Sequence, residues 1–205
     1  MKRGNIKMRK ITKQYKILTY SELSEGAKEK AKQWYLDNQD PETFTDILIE
    51  DLKAETGFIN LKPYYNLSYC QGDGLCLSGY IDFEEIQGNI KKIFYKGFNI
   101  SDYKALAQLK EYARIDFNHQ GHYYHKNSVD IDIYIHGNHS EKMYDFMEKT
   151  VNKLLKNIKE WYINICDEYE KQGYSFFYEI DEENLQEYFE CTEFEFYEDS
   201  TIFRG

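Results

Sequence analysis

The stretch YCQGDGLC, residues 69–76, holds residue types that bind ligands in several unrelated ways. Backbone amides of a glycine loop bind phosphate when a helix follows, and paired cysteines hold a metal or form a disulfide. Here a strand pattern follows the loop and its central side chain is the acid Asp73, which disfavours phosphate. A tight turn between two strands explains Gly72 and Gly74 better, because glycine adopts positive φ without steric cost.

The length of this turn determines how Cys70 and Cys76 are related. In a two-residue type I′ loop of Asp73 and Gly74, the cysteine side chains point to opposite faces of the hairpin. In a three-residue loop that begins at Gly72, Cys70 faces Cys76 closely enough for a disulfide. We predict a structural turn with reduced thiols, since the four cysteines contain no CxxC pair. A ligand-binding loop is the alternative, formed by Gln71, Gly72, Asp73 and Gly74.

The histidines form a second candidate site, because all five fall in one segment: His119, His122, His125, His136 and His139. With the nearby acids Asp116, Asp130 and Asp132, such a set is typical of a metal or acid–base site. The three-residue spacing is unfavourable, since on a strand it directs His119 and His122 to opposite faces. We therefore expect solvent-exposed or core-edge histidines, no metal, no cofactor and no catalytic residue. In the alternative ligand site, the loop would be completed by His122 and His125.

Charge is strongly segregated along the chain. The net charge of −10 argues against strong direct nucleic-acid or anionic-membrane binding, because both need a basic surface. Residues 1–16 nevertheless hold seven lysines and arginines and no acid, which indicates a basic N-terminal extension. Residues 172–203 hold ten acids and no lysine or arginine. This acidic block is compatible both with a solvated face and with a partner-binding surface.

As a partner-binding surface, the acidic block would dock into a basic, nucleic-acid-binding groove of a protein or ribonucleoprotein. It spans a predicted short helix, 182–189, and a predicted terminal strand, 192–203. Interleaved aromatic rings, including Phe189, Phe194 and Phe196, would supply the binding hot spots. The candidate partner-binding residues are Glu187, Tyr188, Glu190, Glu193, Glu195, Tyr197, Glu198 and Asp199.

Capping signals and apolar periodicity predict the elements that position these residues. Thr19 and Glu22 have capping-box spacing before a first helix. Asp40 with Pro41 begins a second helix, which Gly57 ends.

Two further helices are predicted after these. One is capped by Ser101 or Asp102, and Tyr103 is among its inward-facing residues. The longest helix begins after Ser140 and keeps one face apolar up to Gly173. Its predicted length is roughly 45 to 50 Å.

Alternating apolar residues predict the strands. One hairpin surrounds the glycine loop, and a second has its turn near Lys126 and Asn127. The terminal strand turns at 198–200. Segments 91–98 and 174–180 stay ambiguous.

These elements predict an α+β fold: an antiparallel sheet of two hairpins plus a terminal strand, covered by helices including one long helix. We expect a single domain over residues 1–205, since no linker composition interrupts the chain. No window approaches the roughly 20 apolar residues of a membrane span, and no apolar signal-peptide stretch follows the first residues. The expected location is therefore the cytoplasm.

Four segments together resemble an uncharacterised family of small proteins encoded by phages and other mobile elements. They are LSEGAKEKA in the first helix, SYCQGDGLCLSG around the loop, HYYHKNSVDIDI in the second hairpin, and TEFEFYEDS near the end. The resemblance covers nearly the whole chain, and its shared centre is the sequence QGDG. Departures from the family pattern are the pair Tyr69-Cys70 before this centre and Leu75 after it.

The resemblance implies a mobile-element context and no particular reaction. Because small acidic, aromatic-rich phage proteins often inhibit host defence, we expect a non-enzymatic inhibitor of a bacterial defence system, for example an anti-CRISPR protein. Its partner would be a host defence protein or ribonucleoprotein with a basic groove. Two alternatives stay open: a nucleotide-signal binding protein that uses the glycine loop and the histidines, and an antitoxin-like regulator that touches DNA through residues 1–16.

Overall fold

The computed structural model describes residues 12–109, 113–135 and 141–203. The chain divides into two compact units. Unit 1 combines Met1–Gln39 with Tyr178–Gly205, and unit 2 is Asp40–Phe177. The single-domain assignment stays a prediction, and each unit is described by itself below.

The described residues contain six strands and six α-helices, which confirms the α+β class. In chain order they are β1 (Ile17–Leu18), α1 (Glu25–Asp37), α2 (Pro41–Thr56), β2 (Leu61–Asn66), β3 (Gly74–Asp82), α3 (Gly88–Phe94), α4 (Ile100–Leu109), β4 (Ala113–His119), β5 (Val129–Ile135), α5 (Glu141–Tyr178), α6 (Glu182–Cys191) and β6 (Phe196–Tyr197). Segment 91–98, ambiguous in sequence, thus provides the second half of α3 and the turn that follows it.

Local capping chemistry explains several helix ends. The Asp40 carboxylate accepts hydrogen bonds from the amides of Glu42 and Thr43 at the start of α2, and Gly57 ends that helix with a φ of 81°. Both signals were predicted correctly. At α4, Asn99 and Asp102 exchange side-chain-to-amide hydrogen bonds of 2.8 and 3.0 Å, so the cap lies earlier than predicted.

The first helix begins later than its capping signal suggests. Glu22 does accept a hydrogen bond from the Thr19 amide, at 2.9 Å, but this pair closes only a single 3₁₀ turn. The extended backbone of Leu23 then separates the turn from α1, which starts after Ser24. The predicted helix start at Thr19 is therefore wrong, because a capping box can close an isolated turn as well as a helix.

Unit 2 is built on a four-stranded antiparallel sheet in the order β2-β3-β4-β5. Both predicted hairpins are present. The first loop, however, has seven residues, 67–73, so neither predicted turn length is correct. Cys76 pairs with Tyr64 in β2, whereas Cys70 lies in the loop. The second connection, 120–128, ends in a 3₁₀ turn at Lys126–Ser128, close to the predicted turn.

Helix α5 packs its apolar residues against this sheet. The Tyr162 hydroxyl donates to the Leu77 carbonyl at 3.1 Å and accepts from the Leu77 amide at 3.2 Å, which joins the helix to strand β3. The helix has 38 residues, about 57 Å at 1.5 Å per residue, and runs through Gly173 to Tyr178. Residues 174–178, which the sequence left ambiguous, therefore continue this helix, and the predicted cap at Ser140 lies outside the described residues.

Packing explains the glycine inside α5. A Cβ atom at Gly173 would lie 2.3 Å from Leu67 and 3.1 Å from the Phe44 ring. Glycine is present here because two core side chains approach the helix backbone closely, so it does not end the helix. One further assignment is wrong in α4, where Leu106 and Leu109 are buried but Tyr103 is 49% exposed.

Unit 1 contains the second sheet, in which β1 pairs with β6. The predicted terminal strand is thus only two residues long and pairs outside the four-stranded sheet. Its predicted turn is confirmed, since the Tyr197 amide donates to the Thr201 carbonyl at 2.8 Å. The buried core of this unit is partly aromatic, and its members are Leu18, Tyr20, Leu23, Ala27, Ala31, Leu185, Phe189 and Phe196.

We predict that Gly173→Ala lowers the thermal unfolding midpoint of the protein. Overpacking against Leu67 and Phe44 typically costs about 1–3 kcal/mol, which exceeds the gain of up to about 1 kcal/mol from better helix propensity. The matched control is Gly26→Ala in α1, where a Cβ atom meets no other atom within 4 Å. Calorimetry should show a lower midpoint for the first variant and an unchanged or higher midpoint for the second; equal midpoints would contradict the packing explanation.

Candidate functional site

The acidic block lies on the outside of unit 1. Helix α6 starts at Asp181, whose carboxylate accepts from the Asn184 amide at 2.8 Å, and it buries Leu185 and Phe189. Because an α-helix has 3.6 residues per turn, residues on the side opposite Leu185 and Phe189 point toward solvent. The exposed carboxylates of α6 and the segment after it are called the acidic face below, and they are Glu183, Glu187, Glu190, Glu193 and Glu195.

The rings of the block are mostly used inside unit 1. Phe189 and Phe196 are buried, with ring centroids 5.0 Å apart, and Phe189 also stacks on Tyr20 at 5.0 Å. Tyr188 and Tyr197 are half-buried, against Tyr35 at 4.6 Å and Tyr15 at 5.1 Å. The predicted hot-spot rings are therefore buried or half-buried inside unit 1, with limited surface left for a partner.

One cleft of about 520 Å³ opens beside the end of α6. We call it the Thr19 cleft; it is lined by Thr19, Tyr20, Phe189, Glu190, Glu193, Phe194 and Glu195. Three carboxylates surround an aromatic floor, and none of the described residues that line the cleft is a lysine or arginine. The C-terminus of a helix carries a partial negative charge, so α6 adds to the negative potential.

Glu193, in this cleft, has an unusual backbone conformation. Its φ is +54°, and the amide of Phe194 donates to the Phe189 carbonyl at 3.1 Å to close the helix end. Glycine usually occupies this left-handed position, because other residues are strained there. Strain of this kind is concentrated at functional sites, which marks Glu193 as a candidate.

A second cleft in unit 1, of about 490 Å³, contains the remaining predicted residues. Its lining residues are Gln14, Tyr15, Lys16, Tyr197, Glu198, Asp199 and Thr201. Here a cation is already present: Lys16 lies 3.9 Å from Glu198. Another acid of the block is also paired, since Glu182 accepts from the Tyr20 hydroxyl at 3.1 Å and lies 3.4 Å from Lys28. The Thr19 cleft is therefore the stronger site for an external cation.

In unit 2, Asp73 organises the glycine loop from within. Its carboxylate accepts hydrogen bonds from the amides of Ser68 and Cys70, from the Cys70 thiol and from the Tyr174 hydroxyl, at 2.6 to 3.1 Å. Partial desolvation raises the pKa of Asp73, but the hydrogen bonds from Cys70, Ser68 and Tyr174 outweigh it and lower the pKa to about 2. Both carboxylate oxygens are thus already used by the loop itself.

The glycines of the loop permit close packing against segment 120–128. A Cβ atom at Gly72 would lie 2.4 Å from the Tyr123 ring, and one at Gly74 would lie 2.8 Å from the His125 ring. The Nδ1 atom of His125 in turn accepts from the Asn127 amide at 3.0 Å. The structure thus brings Gly72, Gly74 and His125 together, but as contacts between two loops.

Other members of the predicted ligand site lie at the surface. Gln71 and His122 are exposed, and the described residues contain no group of three or more His, Cys, Asp or Glu side chains placed to hold a metal ion. His136 and His139 lie outside the described residues.

Sequence reasoning missed a group of exposed tyrosines around these loops. Tyr69 is 68% exposed and Tyr123 is 61% exposed. Tyr64 stacks on Tyr124 with ring centroids 5.7 Å apart, and Tyr69 lies 4.7 Å from Tyr174. The paired tyrosines in YYNLSY and HYYH were a signal, but a strand pattern alone does not reveal which rings leave the core.

Residues 42–174 match a family model described as a domain of unknown function, DUF8835. This range is more than half of the 205 residues. The chain belongs to the DUF8835 family. Comparisons with curated proteins and with solved structures give no match. The range matched by DUF8835 falls inside unit 2, so it includes the Asp73 loop and excludes the acidic face.

Among the described residues, no helix combines the length and apolar character needed to cross a membrane.

We predict that Asp73→Asn destabilises the protein at neutral pH, and that this difference shrinks in acid. A carboxylate whose pKa is lower in the folded than in the unfolded chain stabilises the fold above its unfolded pKa of about 4, and this contribution is lost as the pH falls toward about 2. Urea unfolding of both proteins across this pH range measures the difference.

The control for this experiment is Glu50→Gln, at an exposed position of α2, where a surface substitution should change stability by no more than about 0.5 kcal/mol. A gap between wild type and Asp73→Asn that stays constant from neutral pH into acid would contradict the role given to the ionised carboxylate.

Proposed function

We propose that the protein is a non-catalytic binding protein that docks the acidic face of unit 1 into a basic groove of a partner protein. The observation that carries this proposal is the Thr19 cleft, where Glu190, Glu193 and Glu195 surround an aromatic floor without a cation among the described lining residues. A lysine or arginine side chain fits such a cleft, because its aliphatic stem packs on rings while its charge meets carboxylates.

The negative charge of the acidic face also favours the initial association with a basic partner. Like charges held close together on one surface repel each other, and an incoming basic surface relieves that repulsion. Complementary potentials also raise the association rate and exclude partners of the wrong charge. The remaining carboxylates, Glu183 and Glu187, extend the same face along α6 and would meet the rim of the groove.

The resemblance to mobile-element proteins directs the proposal to one class of partner. Bacterial defence complexes such as CRISPR effectors hold nucleic acid in positively charged channels. A protein with an acidic face would block such a channel by occupying the place of the phosphates. We therefore propose an anti-defence inhibitor that acts in the host cytoplasm.

Charge reversal of the acidic face tests this proposal. In the variant with Glu187, Glu190, Glu193 and Glu195 replaced by lysine, we expect intact folding, because exposed substitutions usually change stability by no more than about 0.5 kcal/mol each. We expect loss of protection in a plaque assay, in which the protein is supplied to phage infecting cells with a defence system.

The matched control reverses four exposed acids of α2 in unit 2: Glu42, Asp46, Glu50 and Asp51. It changes the net charge equally and should leave protection intact. Protection by the folded acidic-face variant would show that this face is only solvated. Absence of protection by wild type against every defence system tested would instead remove the anti-defence assignment.

The strained conformation of Glu193 provides a second, sharper test. In Glu193→Gly we expect a higher unfolding midpoint, since glycine removes a left-handed backbone strain of about 1 kcal/mol. We also expect weaker partner binding, because the variant removes one of the three carboxylates of the Thr19 cleft. Calorimetry and a pull-down with the defence complex measure the two effects. Improved stability with unchanged binding would show that Glu193 has no part in docking.

A further inference from the structure

Unit 2 has a basic and aromatic surface that the sequence pattern did not predict. It lies where α3 leads into α4, and both helices pack against α5. The Asn157 side-chain amide of α5 donates to the carbonyls of Phe94 and Lys96, at 2.8 and 3.1 Å. A Cβ atom at Gly97 would lie 3.8 Å from Cε of Lys153. These contacts place the end of α3 beside the middle of α5.

Three rings form the centre of this surface. Tyr95 and Phe98 stack with ring centroids 5.3 Å apart, and Tyr103 lies 6.1 Å from each of them. Tyr95 and Phe98 are largely covered, whereas Tyr103 is 49% exposed although it belongs to a helix with a buried apolar side. Tyr103 therefore offers part of an aromatic face to solvent.

Two lysines lie close to these rings. Lys91 lies 6.0 Å from the Tyr95 ring and Lys153 lies 5.2 Å from the Phe98 ring. Lys96 is the residue after Tyr95 in sequence. Lys149 and Lys156 lie about one helical turn before and after Lys153 on α5. We call this set the lysine–tyrosine patch; it consists of Lys91, Lys96, Tyr103, Lys149, Lys153 and Lys156.

The acid within this patch is already neutralised. Asp102 accepts from the Lys153 ammonium at 2.9 Å and from the Thr150 hydroxyl at 3.1 Å. Its pKa is lowered, first by the hydrogen bond from the Asn99 amide and then by Lys153. In the described part of the chain, none of the other four lysines has a carboxylate within 4.0 Å. Along α5, the acids Asp145, Glu148 and Glu160 lie within four residues of Lys149 or Lys156.

We propose that the lysine–tyrosine patch binds single-stranded nucleic acid. Single strands bind where a positive surface follows the phosphates and exposed rings stack on bases, and both features occur here within one small area. The net charge of −10 does not prevent this, because at physiological ionic strength fields are screened over about 8 Å and local charge decides. The site lies in the family-matched unit and is separate in residues from the acidic face, so it is independent of the proposed function.

The competing ligand is an acidic protein, and the exposed ring of Tyr103 distinguishes it from single-stranded nucleic acid. Phosphates and carboxylates both attract lysines, but only a base gains about 1–3 kcal/mol by stacking on an aromatic side chain. Loss of the Tyr103 ring therefore weakens nucleic-acid binding by about fivefold or more, while phenylalanine at the same position retains it.

The experiment is fluorescence anisotropy of the full chain with a short labelled oligothymidylate at low salt. We expect measurable binding by wild type and by Tyr103→Phe, and weaker binding by Tyr103→Ala. In Lys96→Glu with Lys156→Glu we expect weak binding with a shallower salt dependence, because fewer counterions are released. The matched control, Lys62→Glu with Lys171→Glu, changes the net charge equally at exposed positions outside the patch and should bind like wild type.

Circular dichroism confirms that each variant is folded before its binding is compared. The proposal is overturned by no binding of wild type at low salt, by equal weakening in the control variant, or by Tyr103→Ala binding as well as wild type. Tighter binding of polyglutamate than of oligothymidylate would assign the patch to an acidic protein and would also overturn it.

Discussion

The burial of Phe189 is the constraint on which the acidic face of unit 1 depends. Its ring lies within 6.4 Å of the centroids of six other rings: Tyr20, Trp34, Tyr35, Tyr188, Phe194 and Phe196. Because Phe189 and Leu185 must face this core, helical geometry directs the glutamates of α6 outward. The same aromatic packing brings the turn at Tyr20 against the end of α6 and thereby forms the Thr19 cleft. The acidic face is thus a consequence of the core.

The acidic and the basic surfaces lie in different units of the chain. In unit 1, carboxylates gather at the C-terminus of α6, where the helix itself contributes negative potential. In unit 2, lysines lie beside the ring cluster of Tyr95, Phe98 and Tyr103, where Asp102 is paired with Lys153 and Thr150. Asp73 shows a third use of a carboxylate, since it accepts three hydrogen bonds from its own loop and one from Tyr174 of α5, which together hold the loop in place. The family match covers unit 2 only, so the two binding proposals rest on different parts of the chain.

Some features set by neighbouring residues could be predicted from the sequence, whereas features set by distant contacts could not. The cap at Asp40 and the stop at Gly57 depend on a few adjacent residues and were correct. The continuation of α5 past Gly173 was left open, because the packing neighbours of Gly173, Leu67 and Phe44, are remote in sequence. Exposure of the acidic block followed from its alternation with apolar residues. The Thr19 cleft did not, because it requires Thr19 and Glu193, far apart in the chain, to meet. Tyr103 was likewise assigned to the core by spacing alone.

The central claim, that the Thr19 cleft receives a basic side chain, is tested most directly by nuclear magnetic resonance titration of the full chain with an arginine-rich peptide. The account predicts saturable, salt-sensitive shifts concentrated at the amides of residues 189–195, and their loss when Glu190, Glu193 and Glu195 are replaced by glutamine. Shifts spread evenly over exposed carboxylates throughout the chain, or shifts at 189–195 that persist in the glutamine variant, would contradict it.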